Sequence, residues 1–290
     1  MDCDSSVGID LHLHSTASDG TLTPSDILRL AQEKKLKAIA ITDHDTVEGS
    51  KEAQRLGIPP FIKFLTGVEI SASPPPSANC SGSFHILGYG IRPDEPKLNK
   101  TLGVLQTARK NRNPIIIKRL NGLGFIFSLA DVINEVGAGQ ISRPHIAQYM
   151  VKRKFVSSID EAFNRYLAHG KPAYEEKYRI ACEQAIEIII GAGGLPVLAH
   201  PFLLNMKSDT ELEKLIDVLK YMGIKGIEVY YPAHPPEKTF LYAELAKKYD
   251  LLMTGGTDFH GSLTPDIQMG TGKGDLLIPY SLYEKLVSRL

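Results

Sequence analysis

Thiol chemistry is scarce in this chain. Its three cysteines, Cys3, Cys80 and Cys182, are an odd number with no Cys-x-x-Cys pair, which argues against both a disulfide framework and a thiolate zinc site. Net charge is missing too. The 33 Lys and Arg residues balance 33 Asp and Glu, so no global field recruits nucleic acid or a membrane, and an anionic substrate must be gripped locally. No apolar run is long enough for a membrane span, and residues 1–8 read as too polar for a secretory signal. There is no internal repeat, and no low-complexity tract beyond Pro74-Pro75-Pro76. A cytoplasmic enzyme is therefore expected. The 290 residues, 43% hydrophobic and 23% charged, suit one large α/β barrel or one domain carrying a smaller insertion.

What the chain does have is histidine and carboxylate at predicted strand ends. In Ile9-Asp10-Leu11-His12-Leu13-His14, apolar and polar residues alternate as in a short strand. Period-two geometry puts both imidazoles on one face, about 7 Å apart at Cα and close enough to share a metal or a metal cluster. Thr23, Pro24 and Asp26 then make a helix start, with Thr23 as N-cap. A buried strand over 38–41 runs into Thr42-Asp43-His44-Asp45, the pattern of an active-site βα loop. A third strand near 61–65 continues to Glu69, a loop covers 73–82, and His85 opens the next strand.

Between residues 97 and 177 strand signals fade and helical periodicity takes over, with breakers at Pro114, Gly122, Gly124, Gly137 and Gly139. This predicts an all-helical insertion over 97–177, within a barrel made by 1–96 and 178–290. The insertion carries two polar clusters, Ser142-Arg143-Pro144-His145 and Gly170-Lys171-Pro172-Ala173-Tyr174. The α/β alternation then returns, placing His200, His234, Asp258 and His260 after predicted strands.

The ionisable residues at these strand ends are His12, His14, Asp19, His44, Glu69, His200, Asp258 and His260, with His85 at a strand start. In a parallel α/β barrel such ends gather on one face. Nitrogen and carboxylate ligands without thiolate suit Mn²⁺, Fe²⁺ or Zn²⁺. Nine candidates exceed one ion's needs and fit two or three ions sharing a carboxylate. Such ions acidify a bound water and neutralise charge on a transferred phosphoryl group, so the set points to phosphate-ester hydrolysis.

His12-x-His14, Ser18-Asp19-Gly20, Thr42-Asp43-His44-Asp45, Gly67-Val68-Glu69, Ala199-His200-Pro201 and Asp258-Phe259-His260, in this order over nearly the whole chain, resemble the PHP (polymerase and histidinol phosphatase) family. The resemblance implies a distorted (β/α)₇ TIM-like barrel with a trinuclear centre. It implies one metal on His12, His14, Glu69 and Asp258, a second on Glu69, Asp19 and His44, and a third on His85, His200 and His260. Asp19 stands where many members carry histidine, which bears on metal preference; Mn²⁺ is expected, with Fe²⁺ or Zn²⁺ as alternatives.

The helical insertion with Ser142-Arg143-x-His145 and Gly170-Lys171-Pro172 resembles the nucleotide branch of that family. The resemblance implies Arg143, Lys171 and His234 as ligands of substrate phosphate, with Arg supplying a bidentate fork and Lys a point charge. His145 and His169 read as structural, and Tyr174 as packing or as a platform for a base. The expected activity is a metal-dependent phosphatase on a small nucleotide, removing the 3′-phosphate of 3′,5′-bisphosphorylated nucleosides. The alternatives are a 5′→3′ exoribonuclease on short 5′-phosphorylated RNA, a histidinol phosphatase, and a non-catalytic metal-binding scaffold. No membrane association and no stable nucleic-acid partner are expected.

Overall fold

The computed structural model describes residues 8–136 and 140–290, so Cys3, Gly137 and Gly139 lie outside the described residues. Among those described, eight strands form one mixed sheet: β1 Asp10–Leu13, β2 Ala38–Ile41, β3 Lys63–Ser73, β4 His85–Tyr89, β5 Ile180–Ala181, β6 Leu195–Leu198, β7 Gly226–Tyr230 and β8 Leu252–Gly255. The order is β1-β2-β3-β4-β6-β7-β8, with the two-residue β5 beside the far end of β3. Leu13 bridges to Phe259, just past β8, and the His14 N–H donates to the Phe259 carbonyl at 3.0 Å. The sheet thus curls into a half-barrel.

Helices cover its outside: α1 Pro24–Glu33, α2 Glu48–Leu56, α7 Cys182–Gly191, α8 Asp209–Met222, α9 Pro236–Lys248 and α10 Tyr280–Val287. Thr23 caps α1 as its sequence predicts, its hydroxyl accepting the Asp26 N–H. Between the sheet and these helices lies a large aliphatic core that includes Val68, Ile86, Ile189, Leu215 and Ile227. Inside the curl is a smaller cluster around Leu11, Leu87, Tyr89 and Val197.

The expected parallel alternation breaks at β4, which is antiparallel to both β3 and β6. The cause is the connection. Residues 74–84 form no crossover helix, and without one a chain can only return antiparallel. The reversal has a consequence for the site: His85, at the start of β4, pairs with Ser71 near the end of β3. It therefore reaches the same end of the sheet as residues that close the parallel strands.

Residues 97–177 hold no strand among those described. Helix α3, Pro96–Gly122, leads to α4 Leu129–Val136, α5 Arg143–Lys152, α6 Ile159–Ala162 and a π-helical turn, Phe163–Leu167. Pro114 does not break α3, contrary to the sequence expectation. The lost hydrogen bond is tolerated because each half of the helix has its own anchor. Leu98, Leu102 and Leu105 pack into the sheet's aliphatic core, while Ile116, Ile117 and Leu120 enter a second core with Phe127, Ile146 and Leu167. The third strand also begins later than expected, at Lys63, leaving Phe61 84% exposed. No helix among the described residues is long and apolar enough to cross a membrane.

Candidate metal centre at the sheet ends

His12 and His14 face the same way from β1, as period two requires, and both are fully buried with ring centroids 5.2 Å apart. Glu69 on β3 is the hub. Its Oε2 lies 2.8 Å from His44 Nδ1, 3.3 Å from His14 Nε2 and 3.4 Å from His12 Nε2. Its Oε1 lies 2.8 Å from His85 Nδ1 and 3.0 Å from His200 Nε2. Asp258 Oδ1 is 3.0 Å from His14 Nε2 and 3.4 Å from His12 Nε2, while Asp19 Oδ1 is 3.4 Å from His260 Nε2.

Three overlapping groups bring their donor atoms within 4.8 Å of one another: His12, His14, Glu69 and Asp258; His14, Asp19, His44 and His260; and His44, Glu69 and His85. This partition differs from the one the resemblance implies at His260. That residue joins Asp19 and stacks on His14 at 4.1 Å, because the loop after β8 runs beside β1.

Three carboxylates thus face six imidazoles. Burial raises the carboxyls of Asp19, Glu69 and Asp258, but the surrounding imidazoles outweigh it and hold all three well below the usual range. The imidazoles split. Burial opposes protonation of His12, His14, His44, His85 and His200; Glu228, Asp258 and Glu69 overcome it at His12, and Asp258 and Glu69 lift His14 to about 10. Burial prevails at His44 and His85, taking His85 down to about 3. Buried polar atoms are normally paired, yet His12 Nε2, His14 Nε2, His44 Nδ1, Asp19 Oδ1, Glu69 Oε2 and Asp258 Oδ1 have no hydrogen-bond partner. These unpaired, converging nitrogen and carboxylate atoms are a donor set that a borderline divalent ion fits.

A second layer of contacts holds the donors in place. Asp43 accepts Ser15 N–H (2.7 Å), Ser15 Oγ–H (2.7 Å) and Ser18 Oγ–H (2.6 Å), fixing the turn before Asp19. Asp10 accepts from the Thr257 N–H and hydroxyl and the Gly270 N–H, tying β1 to the loop bearing Asp258. Tyr231 donates to Asp258 Oδ2 at 3.0 Å. Gly256 is required there, since a Cβ would meet His12 Cβ at 2.1 Å. Asp45, His200 and Asp258 all have positive φ, a strain typical of functional sites.

The residues expected at phosphate are dispersed. Arg143, the first residue of α5, donates to the Leu167 carbonyl at 3.0 Å and lies over the Tyr174 ring at 5.3 Å. With Arg179 it lines a cleft of about 510 Å³ beside Phe84, the neighbour of His85. Lys171 is exposed on its turn, as is His169, whose ring meets Tyr174. His234 is buried among Tyr231, Phe202 and Tyr242, its Nδ1 2.8 Å from the Val229 carbonyl, and burial pushes its pKa down to about 4. It is neutral at pH 7. His145 completes the capping box of α5, its Nδ1 accepting the Ser142 N–H.

Sequence reasoning missed Glu228, Asp10, Arg109 and Arg112. Arg109 pairs with Asp45 at 2.9 Å. Arg112 is 5% exposed with Nε and Nη1 unpaired, and burial, then Arg109 and Arg143, brings its pKa down to about 10. Buried arginine in excess of carboxylate marks a place for an anion. The signal available in the sequence was the spacing of Arg109, Arg112 and Asn113 on one helical face.

A half-barrel whose strand ends gather a carboxylate-bridged set of imidazoles defines a metallohydrolase-type centre. The chain belongs to the PHP domain family, which matches residues 10–196, and is a metal-dependent phosphoric ester hydrolase. It is 34% identical over 253 residues to a 3′,5′-nucleoside bisphosphate phosphatase of Chromobacterium violaceum, covering 87% of each chain. It is also 34% identical over 252 residues to a 5′-3′ exoribonuclease of Haemophilus influenzae, covering 87% of this chain and 89% of that one. Among solved structures, an amidohydrolase of Chromobacterium violaceum with bound sulfate superposes with a TM-score of 0.82 at 33% identity, covering 98% of this chain and 97% of that one.

Proposed function

We propose that the chain is a nucleotide phosphomonoesterase that removes the 3′-phosphate of 3′,5′-bisphosphorylated nucleosides, using two to three divalent ions. Glu69 carries this reading: one buried carboxylate lies within 3.4 Å of nitrogens from five imidazoles, an arrangement that suits a bridging ligand. His12, His14, Glu69 and Asp258 would hold one ion, and Asp19, His44 and His260 a second with His14 at their border. His85 and His200 would complete a third group on Glu69. Mn²⁺ is the expected ion. Divalent ions at such a centre supply an acidified water and neutralise charge on the phosphoryl group.

The chain's own residues then bind and orient. Arg143, held by the Leu167 carbonyl and the Tyr174 and Phe163 rings, lines the cleft where its guanidinium would meet phosphate oxygens. Arg112 adds uncompensated positive charge behind it. Lys171 is exposed on the turn that carries His169 to the cleft, and neutral His234 contributes shape rather than charge. Tyr174 offers a base an aromatic face. A cytoplasmic setting suits the unpaired Cys80 and Cys182.

Removal of nucleotides from the 5′ end of short 5′-phosphorylated RNA is the second reading, favoured by the equal identity to the exoribonuclease relative. A turnover panel with Mn²⁺ on adenosine 3′,5′-bisphosphate, AMP, short 5′-phosphorylated RNA and histidinol phosphate tests both. The bisphosphate is expected to lead; a preference for histidinol phosphate would overturn the nucleotide reading.

A further inference from the structure

We propose that Glu228 is a positioning residue that fixes two metal-binding imidazoles at once, those of His12 and His200. The inference rests on the reading that these imidazoles hold divalent ions. Glu228 lies in the middle of β7 and is fully buried. Its neighbours Ile227 and Val229 pack into the helix-side core, so strand alternation turns Glu228 into the interior of the curl. A carboxylate there is costly unless both oxygens are used. Both are. Oε1 lies 2.9 Å from His12 Nδ1, and Oε2 accepts the His200 backbone N–H at 2.7 Å.

The first contact selects a tautomer. A carboxylate only accepts, so His12 donates from Nδ1, and Nε2 is the nitrogen left to give its lone pair to an ion. That Nε2 is the unpaired atom 3.4 Å from both Glu69 Oε2 and Asp258 Oδ1. Without Glu228 either nitrogen of His12 could carry the proton.

The second contact holds a strained backbone. His200 sits at φ 26° and ψ 64°, a conformation L-residues adopt only when the surroundings enforce it. This conformation puts His200 Nε2 3.0 Å from Glu69 Oε1. The charge-assisted bond to Glu228 is the contact that offsets the strain. One side chain on β7 therefore sets the tautomer of a donor on β1 and the pose of a donor after β6.

Glu228→Gln separates this role from simple packing. An amide has one acceptor oxygen and two N–H donors, so it can bond both partners only if His12 changes tautomer. With its oxygen on His200 N–H, its NH₂ faces His12 Nδ1 and drives the proton to Nε2. Competition for Zn²⁺ against a chromophoric chelator should then show affinity falling roughly 10- to 100-fold, while the metal-free variant keeps the wild-type circular dichroism spectrum. Glu228→Asp, which keeps the charge but retracts it, should lose less. Independently of any variant's folding, long-range ¹H–¹⁵N spectra of the Zn²⁺-loaded wild type should show His12 protonated at Nδ1. Unchanged Zn²⁺ affinity in Glu228→Gln, or a wild-type His12 protonated at Nε2, overturns the role of Glu228 alone. A wild type that takes up no Zn²⁺ overturns the metal reading and this inference with it.

Discussion

Arg109 on α3 donates to Asp45 Oδ2 at 2.9 Å, with both side chains buried. Asp45 directly follows His44; its carboxylate also accepts the Ser71 N–H and hydroxyl near the end of β3, and the Lys177 charge acts on it together with Arg109. Gln106, one turn earlier on α3, donates to the Asp45 carbonyl at 2.9 Å. The first half of the long helix is thereby pinned to the loop presenting His44 and to the strand presenting Glu69.

Asp45→Asn removes the carboxylate that faces Arg109. Breaking a buried pair by neutralising one partner costs about 3–5 kcal/mol because the other charge is left uncompensated. Replacing Arg109 by Met should cost less, since the Ser71 bonds to Asp45 survive. Urea melts of the two variants decide the order, and a milder effect for Asp45→Asn would show that Arg109 does not depend on it.

Arg143→Ala should weaken substrate binding without changing metal content. Loss of one charge-assisted phosphate contact is worth about 1.5–3 kcal/mol, so KM should rise by roughly tenfold or more. Steady-state kinetics beside elemental analysis provide the check. Unchanged kinetics would leave Arg143 as the residue that ties α5 to the Leu167 carbonyl and nothing more.

His234 makes stability depend on pH in a defined window. Burial lowers its folded pKa to about 4 from the usual 6.5, so between these values the unfolded chain binds the extra proton. Stability from the neutral ring is complete above about pH 6.5 and is lost as pH falls toward 4, by up to about 3 kcal/mol. His234→Phe should flatten that part of the profile, and an NMR titration of the ring places its midpoint. A midpoint near 6.5 would remove the effect and restore His234 as a charge available to phosphate.

Substrate length separates the two activities considered. The chain has equal numbers of basic and acidic residues, and Arg143 and Arg179 line one cleft. A nuclease tracking a strand loses about 0.7 log units of binding per log unit of salt for each phosphate engaged. A small bisphosphate gripped by a few buried contacts is screened less. Efficiency should therefore fall with oligonucleotide length and depend weakly on salt. Measuring kcat/KM for one to about ten nucleotides at low and high salt tests this; efficiency rising with length, with a steep salt slope, would favour the exoribonuclease.

Local rules in the sequence alone determined the strand that aims His12 and His14 together, the capped start of α1, and the grouping of ligand-type residues at strand termini. Period two, capping chemistry and apolar runs act over a few residues and need no partner to be read. Sequence also marked 97–177 as helical, but not that Pro114 would sit inside an unbroken helix, because that depends on two separate cores anchoring its halves. Only tertiary structure decided which donors share a carboxylate. His260 joined Asp19 rather than His85 and His200 because the loop after β8 runs beside the end of β1. His85 reached the centre through a reversed strand. Glu228 was silent in the sequence because its partners lie 216 and 28 residues away; a glutamate in a short strand declares nothing until folding puts an imidazole and a strained amide against its two oxygens.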